Sequence, residues 1–180
     1  MKFIRTGCCA MVCGLAASLL FGANELSNRR APGFSLPDST FTRYDLQDYR
    51  GKWLLIDFMV TGCPHCSDFS KVLEGVKQKY GDRVGILCVV VPPDTFDTVA
   101  EYIKTNKITV PIVFDQGQMA ASYFNATPQN PHFDTPHLFV IDPNGTIVRD
   151  YGRGQSDTDT FILEGPGLMT VLDSLVSPKK

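Results

Sequence analysis

The chain has no long block of basic residues, no internal repeat and no low-complexity tract, and its formal charge is only −2 over 180 residues. No nucleic-acid partner is expected, because neutralising phosphates takes a concentrated basic face. There is also no second close pair of cysteines. Cys8, Cys9 and Cys13 lie in a candidate leader, Cys88 stands alone in an apolar run, and outside that leader only Cys63 and Cys66 form a spaced pair. A structural zinc site assembled from two such pairs is thereby excluded, and a metal would need His65, His132 or His137 to converge on the one pair. Nor is the apolar stretch from Gly7 to Gly22 long enough to favour a lasting membrane span, which takes about 20 apolar residues.

That stretch follows a basic start, Met1-Lys2-Phe3-Ile4-Arg5, and the two read as an export signal over residues 1–23. Cleavage near Ala23 is weakly marked, because Phe21 stands where a small residue is usual, and no well-formed lipobox precedes Cys8, Cys9 or Cys13. An uncleaved N-terminus attaching the protein to a membrane and an ordinary buried helix are the alternatives. Export sets the compartment as periplasmic or otherwise extracytoplasmic. Residues 31–176 are enough for one domain with a sizeable core.

Within that domain, Ala31 to Pro37 reads as an extended entry, Phe41 to Tyr44 as a short strand, and Asp45 to Tyr49 as a turn or short helix. The apolar run from Trp53 to Met59 reads as a strand. A helix runs from Cys63 to Tyr80, with Phe69, Val72, Leu73 and Val76 at helical spacing, and Gly81-Asp82 stops it. Arg83 to Val91 is a valine-rich run suited to a strand buried on both faces of a parallel sheet. Asp94 is the candidate N-cap of a helix from Thr95 to Thr105 whose buried stripe is Phe96, Val99, Ala100 and Ile103. After a short apolar run at Val110 to Phe114, a short helix covers Gln118 to Phe124 and a loop covers Asn125 to Asp134. Asp142-Pro143-Asn144-Gly145 then joins two strands as a hairpin, and Leu168 to Val176 has a helical pattern. Strand, helix, strand, helix followed by a hairpin predicts an α/β fold with a central mixed β-sheet flanked by helices in three layers.

Cys63-Pro64-His65-Cys66 sits where the first long strand gives way to a helix, and that placement favours redox chemistry over a structural disulfide or a metal site. A cysteine at a helix N-terminus meets unpaired backbone N–H groups that favour its thiolate. Cys63 is therefore the expected nucleophile, and Cys66, one turn in and shielded, the thiol that resolves the mixed disulfide. Pro64 at an early helical position stiffens the loop or simply starts the helix. His65 either tunes the pair by favouring the Cys63 thiolate, which makes the disulfide more oxidising, or lies in solvent without effect. Asp57, six residues before Cys63 in an otherwise apolar strand, either lies buried beneath the pair and accepts the Cys66 proton or points to solvent or Lys52.

Trp53-Leu54-Leu55-Ile56-Asp57-Phe58 before the cysteine pair, together with Thr135-Pro136-His137-Leu138-Phe139-Val140-Ile141-Asp142-Pro143-Asn144-Gly145, resembles the thioredoxin-like superfamily. The layout is most similar to exported TlpA-like thiol-disulfide oxidoreductases, which belong to the broad AhpC/TSA group. The resemblance implies a thioredoxin-like fold, a Cys63–Cys66 redox centre, a buried acid at Asp57, and a cis Pro136 beside the pair. Thr135 would then offer backbone groups to an extended substrate segment. It implies partners that are protein thiols or disulfides and a redox partner protein, with no cofactor. Two departures stand out: Gly62 replaces a tryptophan frequent in thioredoxins, and the loop before Thr135 is longer than usual, so His132 and Phe133 either line the site or lie on a plain surface loop. Cys88 reads as an apolar filler or a regulatory thiol. The rivals to an exported reductase are a peroxidase of the peroxiredoxin class and a non-enzymatic thiol- or metal-binding module. Peroxiredoxins place proline and threonine seven and three residues before their peroxidatic cysteine, where this chain has Ile56 and Val60.

Overall fold

The computed structural model describes residues 26–176. The reading of residues 1–23 falls outside them. Two apolar runs form the centre of the sheet: β4 (Trp53–Met59) and β5 (Val84–Val90) pair in parallel, and β6 (Ile112–Phe114) extends the parallel set. On the other flank β7 (His137–Ile141) runs antiparallel to β4, and its hairpin partner β8 (Thr146–Gly152) antiparallel to β7. The short β1 (Arg29–Arg30) closes that edge, giving the order β1-β8-β7-β4-β5-β6. β2 (Ser35–Pro37) and β3 (Arg43–Asp45) form a separate ribbon.

Strand alternation divides the interior in two. Leu55, Met59, Cys88, Val90, Leu138 and Val140 face a core shared with helices α1 (Pro64–Tyr80), α2 (Phe96–Asn106), α4 (Asp157–Leu163) and α5 (Pro166–Leu175). Leu54, Ile56, Phe58, Leu87, Val89 and Phe139 face a second core with α3 (Gln118–Tyr123). The result is the expected three-layer α/β/α sandwich. Helix α1 packs through Phe69, Leu73, Val76 and Tyr80, at intervals of four, three and four residues. Each such burial is worth about 1.5–3 kcal/mol. Gly81, at φ +53, ends the helix by donating its N–H to the Lys77 carbonyl.

The structure corrects the reading of α2. Its cap is Thr95, whose side chain accepts from the Thr98 N–H, while Asp94 is engaged elsewhere. Its buried face is Val99 and Tyr102, with Ile103 at the margin; Phe96 and Ala100 are exposed. The rotation follows from a polar contact that hydrophobic spacing does not encode, the hydrogen bond between the Tyr102 and Ser70 hydroxyls. Phe96 packs outward against Phe114 and Phe41 instead. Two elements were not anticipated: β1, a pair of arginines, and α4, whose Asp-Thr-Asp-Thr start hides its apolar end. No helix among the described residues is long and apolar enough to cross a membrane.

Candidate active site

Met59 ends β4, and Val60-Thr61-Gly62 carries the chain to α1. Asp94, just beyond β5, holds this connection: it accepts from the Thr61 N–H at 2.8 Å, from the Thr61 hydroxyl, and from the Thr98 hydroxyl at 3.0 Å. Cys63 is thereby set as the N-cap of α1, with extended backbone and its own N–H donated to Val60. Its Sγ accepts from the Cys66 N–H at 3.4 Å and lies 4.0 Å from the Thr135 carbonyl oxygen. Both cysteines are thiols; Cys63 is half-buried and Cys66 fully buried. One helical turn thus separates an accessible sulfur from a sheltered one.

Asp57 is wholly buried, and neither carboxylate oxygen has a hydrogen-bond partner among the described residues. The solvent or Lys52 alternative is set aside by that burial. Desolvation, with a smaller contribution from Cys63, raises its carboxyl well above the usual carboxylate range. Cys66 responds to the same environment: burial first and Asp57 second push its thiol up. Across the sheet Asp57 pairs in register with Cys88, also fully buried, whose thiol is raised by burial and then by Asp57. Charge is costly at each of these positions, so a single proton moving between Cys66 and Asp57 is easier than separating two charges in the core.

The Thr135-Pro136 peptide is cis, and the Thr135 carbonyl faces Cys63. Pro136, His65, Asp68 and Arg153 line a cavity of about 330 Å³ beside the pair. Pro64 occupies the first position of α1, and His65 is exposed in the same turn. His132 is exposed, and Phe133 stacks on Phe124 at 4.2 Å at the margin of the α3-side core. His137 is buried on that side too, with Nε2 3.4 Å from Asp150 Oδ2. The three histidines therefore do not gather at Cys63, and no metal-holding cluster of His, Cys, Asp and Glu occurs among the described residues.

Sequence reasoning missed the Asp94–Thr61 clamp, the cis Pro92-Pro93 peptide, the contribution of Arg153, and the Tyr102–Ser70 pair. The signals available were the Pro92-Pro93 dipeptide itself and Asp94, the first carboxylate after the strand that runs beside the one carrying the pair.

The AhpC/TSA family pattern matches residues 28–150. The chain is 27% identical over 154 residues to the thiol-disulfide oxidoreductase ResA of Bacillus subtilis (strain 168), covering 82% of each. It is 31% identical over 120 residues to the ResA of Geobacillus kaustophilus (strain HTA426), covering 65% of this chain and 64% of that one. Among solved structures, the thioredoxin domain of a thiol-disulfide oxidoreductase from Bacteroides vulgatus superposes with a TM-score of 0.64 at 22% identity, over 83% of this chain and 97% of that one. A thiol:disulfide interchange protein from a Bacteroides species gives 0.66 at 20% identity, over 86% and 92%. With a thioredoxin-like fold around a helix-capping cysteine pair, and a family match over most of its length, the chain belongs to the AhpC/TSA family and is a thiol-disulfide oxidoreductase.

Proposed function

We propose that the protein reduces protein disulfides outside the cytoplasm, with Cys63 as nucleophile, Cys66 as resolving thiol and Asp57 as proton acceptor. The observation that carries the assignment of roles is the difference in burial between the two sulfurs of one helical turn: Cys63 is reachable, and Cys66 sits beneath it with Asp57. The Cys63 thiolate attacks one sulfur of a substrate disulfide, expels the other as a thiolate, and forms a mixed disulfide. Cys66 gives its proton to Asp57 and attacks the Cys63 sulfur. The substrate leaves with both its sulfurs reduced, and the enzyme is left with a Cys63–Cys66 disulfide for a redox partner protein to reduce. Thr135 holds an extended substrate segment by its backbone, and Pro64 and Pro136 shape the approach. His65 lies at the rim.

Residues 31–176 are the catalytic unit. Residues 1–23, with a basic start and an apolar stretch, direct export and leave the protein free or attached to the membrane by an uncleaved N-terminus. Trapping tests the roles. Cys66→Ser should accumulate a mixed disulfide through Cys63 with a disulfide-bonded protein, visible by mass mapping, and Cys63→Ser should trap nothing. Trapping through Cys66 would reverse the assignment.

A further inference from the structure

Arg153 follows β8 directly, with its backbone held and its side chain left free. Its N–H donates to the Pro136 carbonyl at 3.4 Å, the Gly152 N–H before it donates to the buried Asp159 carboxylate at 3.2 Å, and the Gln155 N–H after it returns to the Gly152 carbonyl at 3.2 Å. Gly154, at φ +79, allows the turn. The loop is thus fastened to the residue that follows Thr135, whose own carbonyl oxygen lies 4.0 Å from the Cys63 sulfur. The Arg153 guanidinium, by contrast, has no hydrogen bond or ion pair among the described residues. Arg29, Arg43, Arg50, Arg83 and Arg149 each donate from the guanidinium to a carbonyl oxygen. Arg30 is exposed on the edge strand, whereas Arg153 is half-buried.

Arg153 lines the cavity of about 330 Å³ beside the cysteine pair, which Val72, Pro136 and Leu163 make partly apolar. Two carboxylates border the same cavity. Asp68 is already paired with Lys71 at 3.0 Å, and Glu164, the C-cap of α4, is exposed and makes no ion pair with Arg153. A cation partly withdrawn from water without an acceptor costs free energy, and its planar fork of N–H donors matches the two oxygens of a carboxylate. An extended substrate segment held along Thr135 advances about 3.3 Å per residue and turns alternate side chains to the same face. With the substrate cysteine turned toward Cys63, the side chains two positions away also turn toward the enzyme, and the one on the Pro136 side comes to this cavity.

We propose that Arg153 is a specificity-determining residue that takes the carboxylate of an aspartate or glutamate two positions from the cysteine under attack, so that the protein favours disulfides set in acidic segments. The proposal rests on Cys63 being the nucleophile and Thr135 the backbone holder. The chain as a whole carries a formal charge of −2, so its overall field opposes acidic substrates and a preference for them needs a local cation.

The test uses the reduced full chain and three peptides, each with one cysteine in a mixed disulfide with a coloured aromatic thiol. The aromatic thiolate is the better leaving group, so attack by Cys63 on the peptide sulfur releases the colour. The peptides differ only in carrying Glu, Gln or Lys at both positions two residues from the cysteine. Second-order rates of colour release are compared as ratios, which a partly misfolded variant leaves intact. The unaltered protein should favour the Glu peptide over the Gln peptide by roughly 5-fold and place the Lys peptide last, as for a partly shielded ion pair. Arg153→Gln should abolish the Glu-over-Gln ratio, and Arg153→Lys, which keeps the charge and loses the fork, should retain part of it. Salt at about 1 M should shrink the ratio in the unaltered protein, since it screens charges beyond about 3 Å. Equal rates for the Glu and Gln peptides in the unaltered protein, or a ratio that survives Arg153→Gln, overturns the proposal. Failure of the reading beneath it looks different: a Cys63→Ser variant that still releases colour at the unaltered rate would remove Cys63 as the nucleophile, whatever the order of the peptides.

Discussion

Asp57, a wholly buried carboxyl without a hydrogen-bond partner among the described residues, costs this fold stability. A carboxyl whose folded pKa is raised above its unfolded value near 3.8 contributes stability fully present below that value and lost as the pH climbs through the raised folded value. The native state should therefore weaken from the mildly acidic range upward, by about 1.4 kcal/mol for each pH unit over which only the unfolded chain has released the proton. Cys66, whose thiol is also raised, extends the loss above its ordinary value near 9. Asp57→Asn removes the first part: urea unfolding of the reduced protein across a pH series should show the variant gaining on the native chain as pH rises, and parallel curves would sink the idea. The same burial orders the thiols. Iodoacetamide should modify Cys63 well before Cys66 at every pH, as followed by mass mapping, because Cys66 is both inaccessible and held protonated. At this scale the sequence was legible wherever a residue broke the pattern around it. Asp57 stood out because a charge in a strand centre needs a reason, and Thr135-Pro136 because only proline makes a cis bond common. Tyr102 broke nothing, and its hydroxyl partner lies 32 positions away.

Elements were readable where hydrophobic spacing decided them and misread where polar contacts did. α1 fell where its spacing put it, capped by Cys63 and stopped by Gly81. The hairpin of β7 and β8 followed from its Asp-Pro-Asn-Gly turn, with Asp142 accepting from the Asn144 and Thr146 N–H groups. α2 started one residue late because Asp94 serves the neighbouring loop instead of the helix. That carboxylate joins the end of β5 to the turn before Cys63, so the redox loop inherits the rigidity of the central strands. Asp94→Ala should leave the Thr61 N–H without its acceptor and cost about 1.5–3 kcal/mol, the range for bonds to a charged group. Amide exchange at Thr61 should accelerate more than exchange in the centre of β4. Equal acceleration at both places would mean a global loss of stability with no local clamp.

The whole molecule presents its cysteine pair beyond the end of a central strand, β4, in a sheet that is covered on both faces, and the remaining question is which way electrons flow. His65 argues for an oxidant if it stabilises the Cys63 thiolate, because a better leaving group makes a disulfide easier to reduce. The structure places His65 in the open, at the rim of the cavity by Pro136, where water and salt weaken any charge it carries. Asp57 and the buried Cys66 act in the opposite direction: an unpaired carboxylate beside the thiol holds Cys66 protonated and favours neither anion in the core. The balance predicts a reducing protein. Equilibrated with glutathione mixtures, the Cys63–Cys66 couple should lie closer to the value of about −270 mV typical of thioredoxin than to the value of about −120 mV typical of a dedicated oxidase. His65→Ala should move it by less than about 30 mV, equivalent to about 1.4 kcal/mol for two electrons. A potential near the oxidase value would make this protein a disulfide donor. A large negative shift in His65→Ala would show that the exposed imidazole, against its solvation, sets the direction of exchange.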